Sequence, residues 1–408
     1  MDINLADPDL YATADGGLEA LRSLQRARPV YWNAASTTGF WALTRYADAV
    51  TVYRNPKSFT SRQGIQVGQL EDTRLPAAGK MLVLADTGEH QRIKALMSRH
   101  LSPAALQRLL PEMRSTAREA LTRHTGEQAV DFVTEIAGQL TMTVIGALLG
   151  VPARDRPDVA RWTSLAFDEP PVGTAPAMSA QEANAQLFAY FADLLHPRRD
   201  TAHADDLISA LAAPATGRHT RLSTEEILFN VHLLLAGGQE TTRQAVAGCA
   251  AAFSNHPDQW ERLRADDGLL DTAVEEVLRW SAPSLNVMRT ATRDITIGTT
   301  TVRAGEQVTV WHPIVNRDEE VFPHADAFDI AREPNRHLSF GMGSHFCLGA
   351  WLARQELRVL MQEMLACVAR LEPAGPPRRS RSRRTWGYDC LPMRLVPVCP
   401  APREQEFK

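Results

Sequence analysis

Cysteine is scarce in this sequence, and its spacing gives no sign of a disulfide framework. The chain of 408 residues contains five cysteines, an odd number, and none belongs to a closely spaced pair: Cys249, Cys347, Cys367, Cys390 and Cys399. A long chain with so few cysteines does not depend on disulfides for its core. We therefore expect a protein of the reducing cytoplasm.

The sequence also lacks a long hydrophobic run. Its most apolar stretch, Ile227 to Ala236, is interrupted by Asn230 and His232 and is far shorter than the roughly 20 residues that cross a bilayer. The first residues, Met1 to Asp15, are polar and acidic, and no basic region followed by an apolar one is present. We expect neither a signal peptide nor contact with a membrane.

A strong excess of charge is missing as well. The formal net charge is -4 at pH 7, and 23% of the residues are charged, which gives no field that would attract nucleic acid. One dense basic stretch follows a segment rich in proline and glycine, and a solvated loop is its simplest interpretation. It contains Arg378, Arg379, Arg381, Arg383 and Arg384.

The residue pattern predicts a mainly α-helical protein with a smaller β part, in one domain over residues 1–408. Alternating apolar residues and turn signals predict strand-rich parts at about 28–45, 285–311 and 385–398, with helices elsewhere. Ser102-Pro103 and the stretch from Ser223 to Glu226 are typical of helix starts. Residues 168–180 are rich in proline, glycine and alanine and predict a loop between two helices.

The segment around Cys347 carries the most chemical information. It reads Phe340-Gly341-Met342-Gly343-Ser344-His345-Phe346-Cys347-Leu348-Gly349. Glycines before the cysteine allow a tight loop whose backbone N–H groups point at the sulfur. A helical pattern follows from the cysteine onward, and a helix N-terminus lowers a thiol's pKa. Such a thiolate can bind iron, although a single cysteine in a glycine turn is more often a buried structural residue.

A second segment lies in the long helical pattern from about Ser223 to Phe253, which contains the adjacent glycines Gly237 and Gly238. Each glycine costs a helix roughly 1 kcal/mol relative to alanine. We expect a local widening there, at which the Thr241 hydroxyl bonds the Gly237 carbonyl. Glu240 beside it supplies an ionisable group for proton delivery. Close packing of small residues, with a surface Glu-Thr-Thr, is the alternative.

A third segment holds Glu276 and Arg279, three residues apart in a helical stretch from Thr272 to Trp280. Two such residues lie on one helix face and can form an ion pair. Most pairs of this kind are solvated, so the spacing alone is weak evidence for a structural role.

Together the three segments resemble the signature motifs of the cytochromes P-450, in the order and spacing typical of that family. Glu240 and Thr241 match its oxygen-binding groove, and Glu276 with Arg279 matches its buried Glu-x-x-Arg pair. The cysteine-ligand loop of the family is matched by Phe340, Gly341, Gly343, His345, Cys347 and Gly349. This resemblance implies the cytochrome P-450 fold, with haem b held between the long central helix and the cysteine-loop helix.

The resemblance also implies roles for individual residues. Cys347 would be the thiolate ligand of the haem iron, and Glu240 with Thr241 the catalytic acid–alcohol pair. Contacts with the haem propionates are implied for His90, Lys94, Arg289 and His345. Lys94 stands where the family usually has arginine, and lysine cannot form the bidentate fork of arginine. A further arginine of the Glu-x-x-Arg cluster is expected at a position that holds Ala327, and Arg332 and Arg336 are the substitutes.

The activity implied by the family is that of a class I monooxygenase of secondary metabolism. It would take electrons from NAD(P)H through a ferredoxin reductase and a ferredoxin, activate dioxygen, and hydroxylate or epoxidise a small organic substrate. Oxidative coupling, cyclisation or desaturation is the alternative, and a haem-binding protein without turnover is a third possibility. Pocket residues would include Asn286, Val287, Gly237 and Tyr388, and the cations Lys94, Arg92 and Arg354 would face an acidic ferredoxin.

Overall fold

The computed structural model describes residues 3–34, 38–67, 75–126, 128–167, 177–199, 205–213 and 221–398. Helices form the larger part of these residues, as predicted. They are α1 Leu18–Ala27, α2 Tyr46–Arg54, α3 Thr87–Ser98, α4 Pro103–Leu106, α5 Leu110–His124, α6 Gln139–Leu149, α7 Arg156–Phe167, α8 Ala180–Leu195, α9 Leu207–Ala212, α10 Thr224–Ala236, α11 Thr242–Asn255, α12 Pro257–Ala265, α13 Leu270–Ser281, α14 His312–Val315 and α15 Ala350–Cys367. None of these helices is both long and apolar enough to cross a membrane.

The strands are short and form four small sheets within the described residues. They are β1 Val30–Asn33, β2 Phe40–Leu43, β3 Phe59–Thr60, β4 Val130–Asp131, β5 Asn286–Ala291, β6 Ile295–Ile297, β7 Thr300–Val302, β8 Gln307–Trp311, β9 Val368–Pro373, β10 Arg378–Arg379, β11 Tyr388–Cys390 and β12 Pro392–Pro397. The largest sheet has the order β1-β2-β8-β5-β3. Its parallel pair, β2 with β8, joins the N-terminal hairpin to the strands after α13.

Helices α10 and α11 form one nearly continuous helix through the centre of the molecule. The helix begins with a capping box, in which the Ser223 hydroxyl accepts the Glu226 N–H and the Glu226 carboxylate accepts the Ser223 N–H. Every residue from Thr242 to Phe253 is buried, because α11 is enclosed by α13, α15, β9 and a π-helical turn at Val133–Gly138. At the junction of α10 and α11, Gln239 and Glu240 are buried, while Gly237 is exposed.

The cysteine-loop helix differs from its predicted bounds. α15 begins at Ala350, three residues after Cys347, and ends at Cys367, whereas the sequence pattern placed its start at the cysteine and its end near Arg370. Residues after Cys367 instead form β9, which pairs with β12. Cross-strand pairing decides this boundary, and local helical spacing carries no information about it. Of the predicted loop at 168–180, residues 168–176 lie outside the described ranges.

The Glu276–Arg279 pair is wholly buried, with both side chains 0% exposed. Two parallel hydrogen bonds of 2.7 and 2.8 Å join the Arg279 guanidinium to the Glu276 carboxylate. Arg332 is the third member, since its Nε lies 3.2 Å from Glu276 Oε2, while Arg336 is exposed. The backbone at Ala327, where an arginine was expected, contributes its carbonyl to both Arg279 and Arg332.

Candidate active site

The loop before α15 presents Cys347 as an exposed side chain on a tightly folded backbone. The Cys347 N–H donates to the Phe340 carbonyl at 2.9 Å and closes the loop. Gly341 and Gly343 adopt φ angles of 66° and 73°, which explains the two glycines. The Arg354 guanidinium lies 4.6 Å from the centre of the Phe340 ring and supports the other end of the loop.

The environment of the Cys347 sulfur differs from the expected one. Although the side chain is accessible at the surface of the loop, the protein atoms packed around its sulfur raise the pKa of the thiol, and this effect outweighs the Gly349 N–H bond and the charges of Arg354 and Lys94, which lower it. The helix N-terminus is three residues further on than predicted, and its effect is confined to the first turn. A thiolate at this position would therefore depend on a bound cation, and a metal ion supplies one.

Four basic residues predicted to bind propionates converge beside this loop. The rings of His90 and His345 are 4.2 Å apart, and the Lys94 ammonium donates to the Ser344 carbonyl. Burial, and then the charges of the nearby Arg289, His90 and Lys94, together lower the pKa of His345 to about 3. His90 is 3% exposed, and its Nε2 has no partner among the described residues. The unpartnered Nε2 of His90 and the basic residues around it fit the negatively charged propionates of haem b, and the exposed Cys347 beside them fits its iron.

Gly343 is the tightest point of the loop, and a prediction follows from it. A Cβ at this residue would lie 2.6 Å from the Tyr53 carbonyl oxygen. We expect Gly343→Ala to lower the free energy of unfolding by about 2–4 kcal/mol, because backbone strain at positive φ adds to overpacking. Urea unfolding of the purified holoprotein measures the change.

Two glycines provide matched controls for this variant. Gly305 has a φ of 88° with open space at its Cβ position, and Gly88 has open space without a positive φ. Gly305→Ala should lower the free energy of unfolding only by the cost of the positive φ angle. Gly88→Ala should cause almost no loss of stability. A Gly343→Ala variant no less stable than Gly305→Ala would show that the loop can move away from Tyr53.

The predicted widening of the long helix is present at the glycine pair. Gly237–Thr241 forms a π-helical turn, and the Thr241 hydroxyl donates to the Gly237 carbonyl at 2.6 Å. A Cβ on Gly237 would meet no described atom within 4 Å, whereas a Cβ on Gly238 would lie 2.6 Å from the side chain of Ile145. The helix thus opens at Gly237, while Gly238 serves the close packing that was the alternative interpretation.

Glu240 lies in the same turn but is not free in solvent. It is 4% exposed, and its Oε2 forms an ion pair with Arg243. Its Oε1 has no partner among the described residues. Sequence reasoning missed Arg243, although its spacing of three residues from Glu240 is the same as in the Glu276–Arg279 pair. That spacing was the available signal.

Three of the predicted pocket residues, Asn286, Val287 and Tyr388, contact other parts of the fold or are half-buried. Asn286 is buried, and its amide donates to the Arg383 carbonyl at 2.9 Å, so that nitrogen serves the fold. Val287 and Tyr388 are half-buried, and the Tyr388 ring lies 4.8 Å from the Arg379 guanidinium.

Two of the cations expected to face a ferredoxin have partners within the chain. Arg92 forms an ion pair with Glu226, and Arg354 binds Glu275 through two bonds of 2.6 and 2.8 Å. The Arg92 side chain remains 32% exposed while it pairs with the Glu226 carboxylate of the α10 capping box, so its role in docking a ferredoxin stays a prediction.

An exposed cysteine on a glycine loop, a basic cluster beside it and a threonine-stabilised π turn in a buried helix together match a haem-dependent oxidoreductase. Comparison with known proteins agrees. The family profile for cytochrome P-450 matches residues 171–367. A putative cytochrome P-450 of Mycobacterium tuberculosis is 38% identical over 411 residues, 96% of this chain and 97% of that protein.

Further relatives cover nearly the whole chain. A methyl-branched lipid omega-hydroxylase of Mycobacterium bovis is 35% identical over 408 residues, 96% of this chain and 94% of that enzyme. The solved structure of OxyD, a cytochrome P-450 involved in the biosynthesis of vancomycin-type antibiotics, matches with a TM-score of 0.88 and 32% identity, over 97% of this chain and 100% of that chain. The chain belongs to the cytochrome P-450 family; it is a haem-dependent monooxygenase.

Proposed function

We propose that this protein hydroxylates or epoxidises a small organic substrate in secondary metabolism, with Cys347 as iron ligand and Glu240 and Thr241 as the proton-delivering pair. The observation that carries the proposal is the Thr241–Gly237 hydrogen bond in the π turn. It holds a hydroxyl beside open space at Gly237, with a carboxylate on the neighbouring residue. A passive haem-binding protein has no use for this arrangement.

The protein residues in this proposal have separate tasks. Haem, when bound, supplies the centre that takes up electrons and dioxygen and oxidises the substrate. Cys347 would hold the iron, while His90, His345, Arg289 and Lys94 would hold the propionates. To pass a proton into the open space beside Gly237, the Thr241 hydroxyl would turn its hydrogen away from the Gly237 carbonyl, and the Glu240 carboxyl would then replace the proton given up. Water is excluded elsewhere because α11 is buried along its length.

We also propose that the electrons come from NAD(P)H through a ferredoxin reductase and a small ferredoxin. Lys94 and Arg354 place positive charge next to the cysteine loop, and complementary charge raises the rate of encounter with an acidic partner. The likeness to OxyD supports a role in secondary metabolism. NAD(P)H consumption with a surrogate plant ferredoxin and its reductase tests this route, and its rate should fall as salt is added.

The Thr241→Ala variant tests the proposed function. It should retain the haem spectrum but waste electrons, because the lost hydroxyl is a general acid of a kind that contributes about 10²–10⁴ in rate. With a methyl-branched lipid as probe substrate, chosen after the omega-hydroxylase relative, we expect the ratio of product to NAD(P)H consumed to fall by more than about 10-fold. Peroxide, titrated in parallel, should account for the missing electrons.

Thr141 provides the matched control. Its hydroxyl donates to the Ala137 carbonyl four residues earlier at 3.0 Å, so Thr141→Ala removes the same kind of bond from a different helix. The control should keep the wild-type ratio. If Thr241→Ala keeps it too, the proton comes from another group and the proposed pair is wrong.

A further inference from the structure

Arg243 is a buried arginine whose charge acts on two carboxylates, one three residues before it and one far away in the sequence. It lies on α11 with 9% of its surface exposed, and its Nη2 contacts Glu240 Oε2. The second carboxylate is that of Asp389 on β11, and this residue is half-buried. Burial raises the pKa of Asp389, while the Ser380 hydroxyl and then the charge of Arg243 lower it. The Arg243 guanidinium thus acts on the buried carboxylate of Glu240 and on the more exposed carboxylate of Asp389.

The register of α11 against β11 is fixed by the residue next to Arg243. The Gln244 amide donates to the Tyr388 carbonyl at 3.1 Å, and its oxygen accepts the Tyr388 N–H at 2.7 Å. This approach requires glycine at position 387, where a Cβ would lie 2.0 Å from Gln244 Oε1. Because Arg243 precedes Gln244 and Asp389 follows Tyr388, the clamp brings the two backbones together at these residues, and the charge of Arg243 reaches the Asp389 carboxylate.

We propose that Arg243 is the positioning residue of Glu240, and that Asp389 is the solvent-side carboxylate of the route by which protons reach it. The inference rests on the proposed role of Glu240 and Thr241 and adds two residues to it. Arg243 holds one oxygen of the Glu240 carboxylate and leaves the other, Oε1, unpartnered among the described residues. That oxygen is the one available to exchange a proton.

The chemistry of the three groups supports this division of tasks. A guanidinium does not lose its proton in a protein, so Arg243 acts through position and charge and not as a relay. Its positive charge opposes the rise in the pKa of Asp389 that burial causes. Asp389 is the more exposed of the two acids, which makes it the entry point from solvent.

The experiment uses holoprotein with plant ferredoxin, its reductase and NAD(P)H, without organic substrate. The readouts are the fraction of consumed oxygen released as peroxide and the solvent isotope effect on oxygen consumption. Arg243→Gln should raise the peroxide fraction and the isotope effect by at least about twofold. Arg243→Lys keeps the positive charge and should give values between those of Arg243→Gln and the wild type. Asp389→Asn, which can still accept the Ser380 bond, should shift both readouts in the same direction by less.

A second readout does not depend on turnover. In infrared spectra of the holoprotein, Arg243→Gln should show a protonated carboxyl band that is missing from the Glu240→Gln, Arg243→Gln double variant, because a buried carboxylate without its cation takes up a proton. Arg156→Gln, which removes a half-buried arginine bound to Glu112, is the control and should leave all readouts at wild-type values.

The outcomes separate this inference from the proposed function. If Thr241→Ala raises the peroxide fraction but Arg243→Gln and Asp389→Asn do not, the assignment of Arg243 and Asp389 is wrong and the function stands. If Arg243→Gln yields no holoprotein, Asp389→Asn and Arg243→Lys decide: wild-type peroxide fractions and isotope effects in both overturn the inference. Loss of the effect of Arg243→Gln in a Glu240→Gln background supports it.

Discussion

Replacing Cys347 with serine is expected to lower the rate of substrate oxidation by more than about 100-fold. Outer-shell partners of a metal ligand alone are typically worth 10–100-fold, and here the ligand itself is lost. Cys347 is the exposed cysteine of the described residues, and its loop is closed by the bond from its own N–H to the Phe340 carbonyl. Serine keeps that bond and the loop but cannot give the electron donation of a thiolate.

The spectrum of the reduced protein with carbon monoxide is the direct measurement. Wild-type protein should show the red-shifted Soret band of a thiolate-bound haem, and Cys347→Ser should lack it. Cys367→Ser is the matched control, because the Cys367 thiol lies near the end of α15 and donates to the Glu363 carbonyl, as a serine hydroxyl can. If Cys347→Ser keeps the red-shifted band, another residue binds the iron.

What could be read from the sequence was local. The glycine loop before Cys347, the π turn at Gly237–Thr241 and the capping box at Ser223 depend on residues within about seven positions of one another, and the structure contains all three. Short-range backbone geometry and helix periodicity fix such features. The fold class followed from the same periodicity and from the resemblance of the motifs.

What could not be read depends on contacts between distant segments. The third partner of Glu276 is Arg332, 56 residues further on, and no local pattern distinguishes it from Arg336. Asp389 comes within reach of the charge of Arg243 where Gln244 bonds to Tyr388, 144 residues away. The pKa of Cys347 was expected to fall but rises, since burial depends on the whole fold. Contacts between residues far apart in the sequence depend on tertiary packing, and a single sequence does not reveal how its distant segments pack.

Removing Arg279 should destabilise the protein by about 3–5 kcal/mol, because it leaves the Glu276 carboxylate buried without its main partner. The loss extends beyond the pair. Arg279 also donates to the carbonyls of Asn316, Ala325 and Ala327. Glu276 accepts further bonds from Asp329, Arg332 and Asn335. This network ties α13 to the irregular segment that leads into the cysteine loop, so we expect Arg279→Ala to lose haem as well as stability.

Arg161 and Asp158 form the matched control, since they have the same spacing of three residues but are 54% and 61% exposed. Arg161→Ala should cost at most about 1 kcal/mol, as solvent-exposed ion pairs do. Urea unfolding and haem content per protein measure both variants. Arg332→Ala should fall between them, because Arg279 still neutralises Glu276 in its absence. An Arg279→Ala protein as stable as Arg161→Ala would contradict this prediction and would mean that Arg332 alone neutralises the Glu276 carboxylate. In that case the double variant that replaces both Arg279 and Arg332 with alanine should unfold.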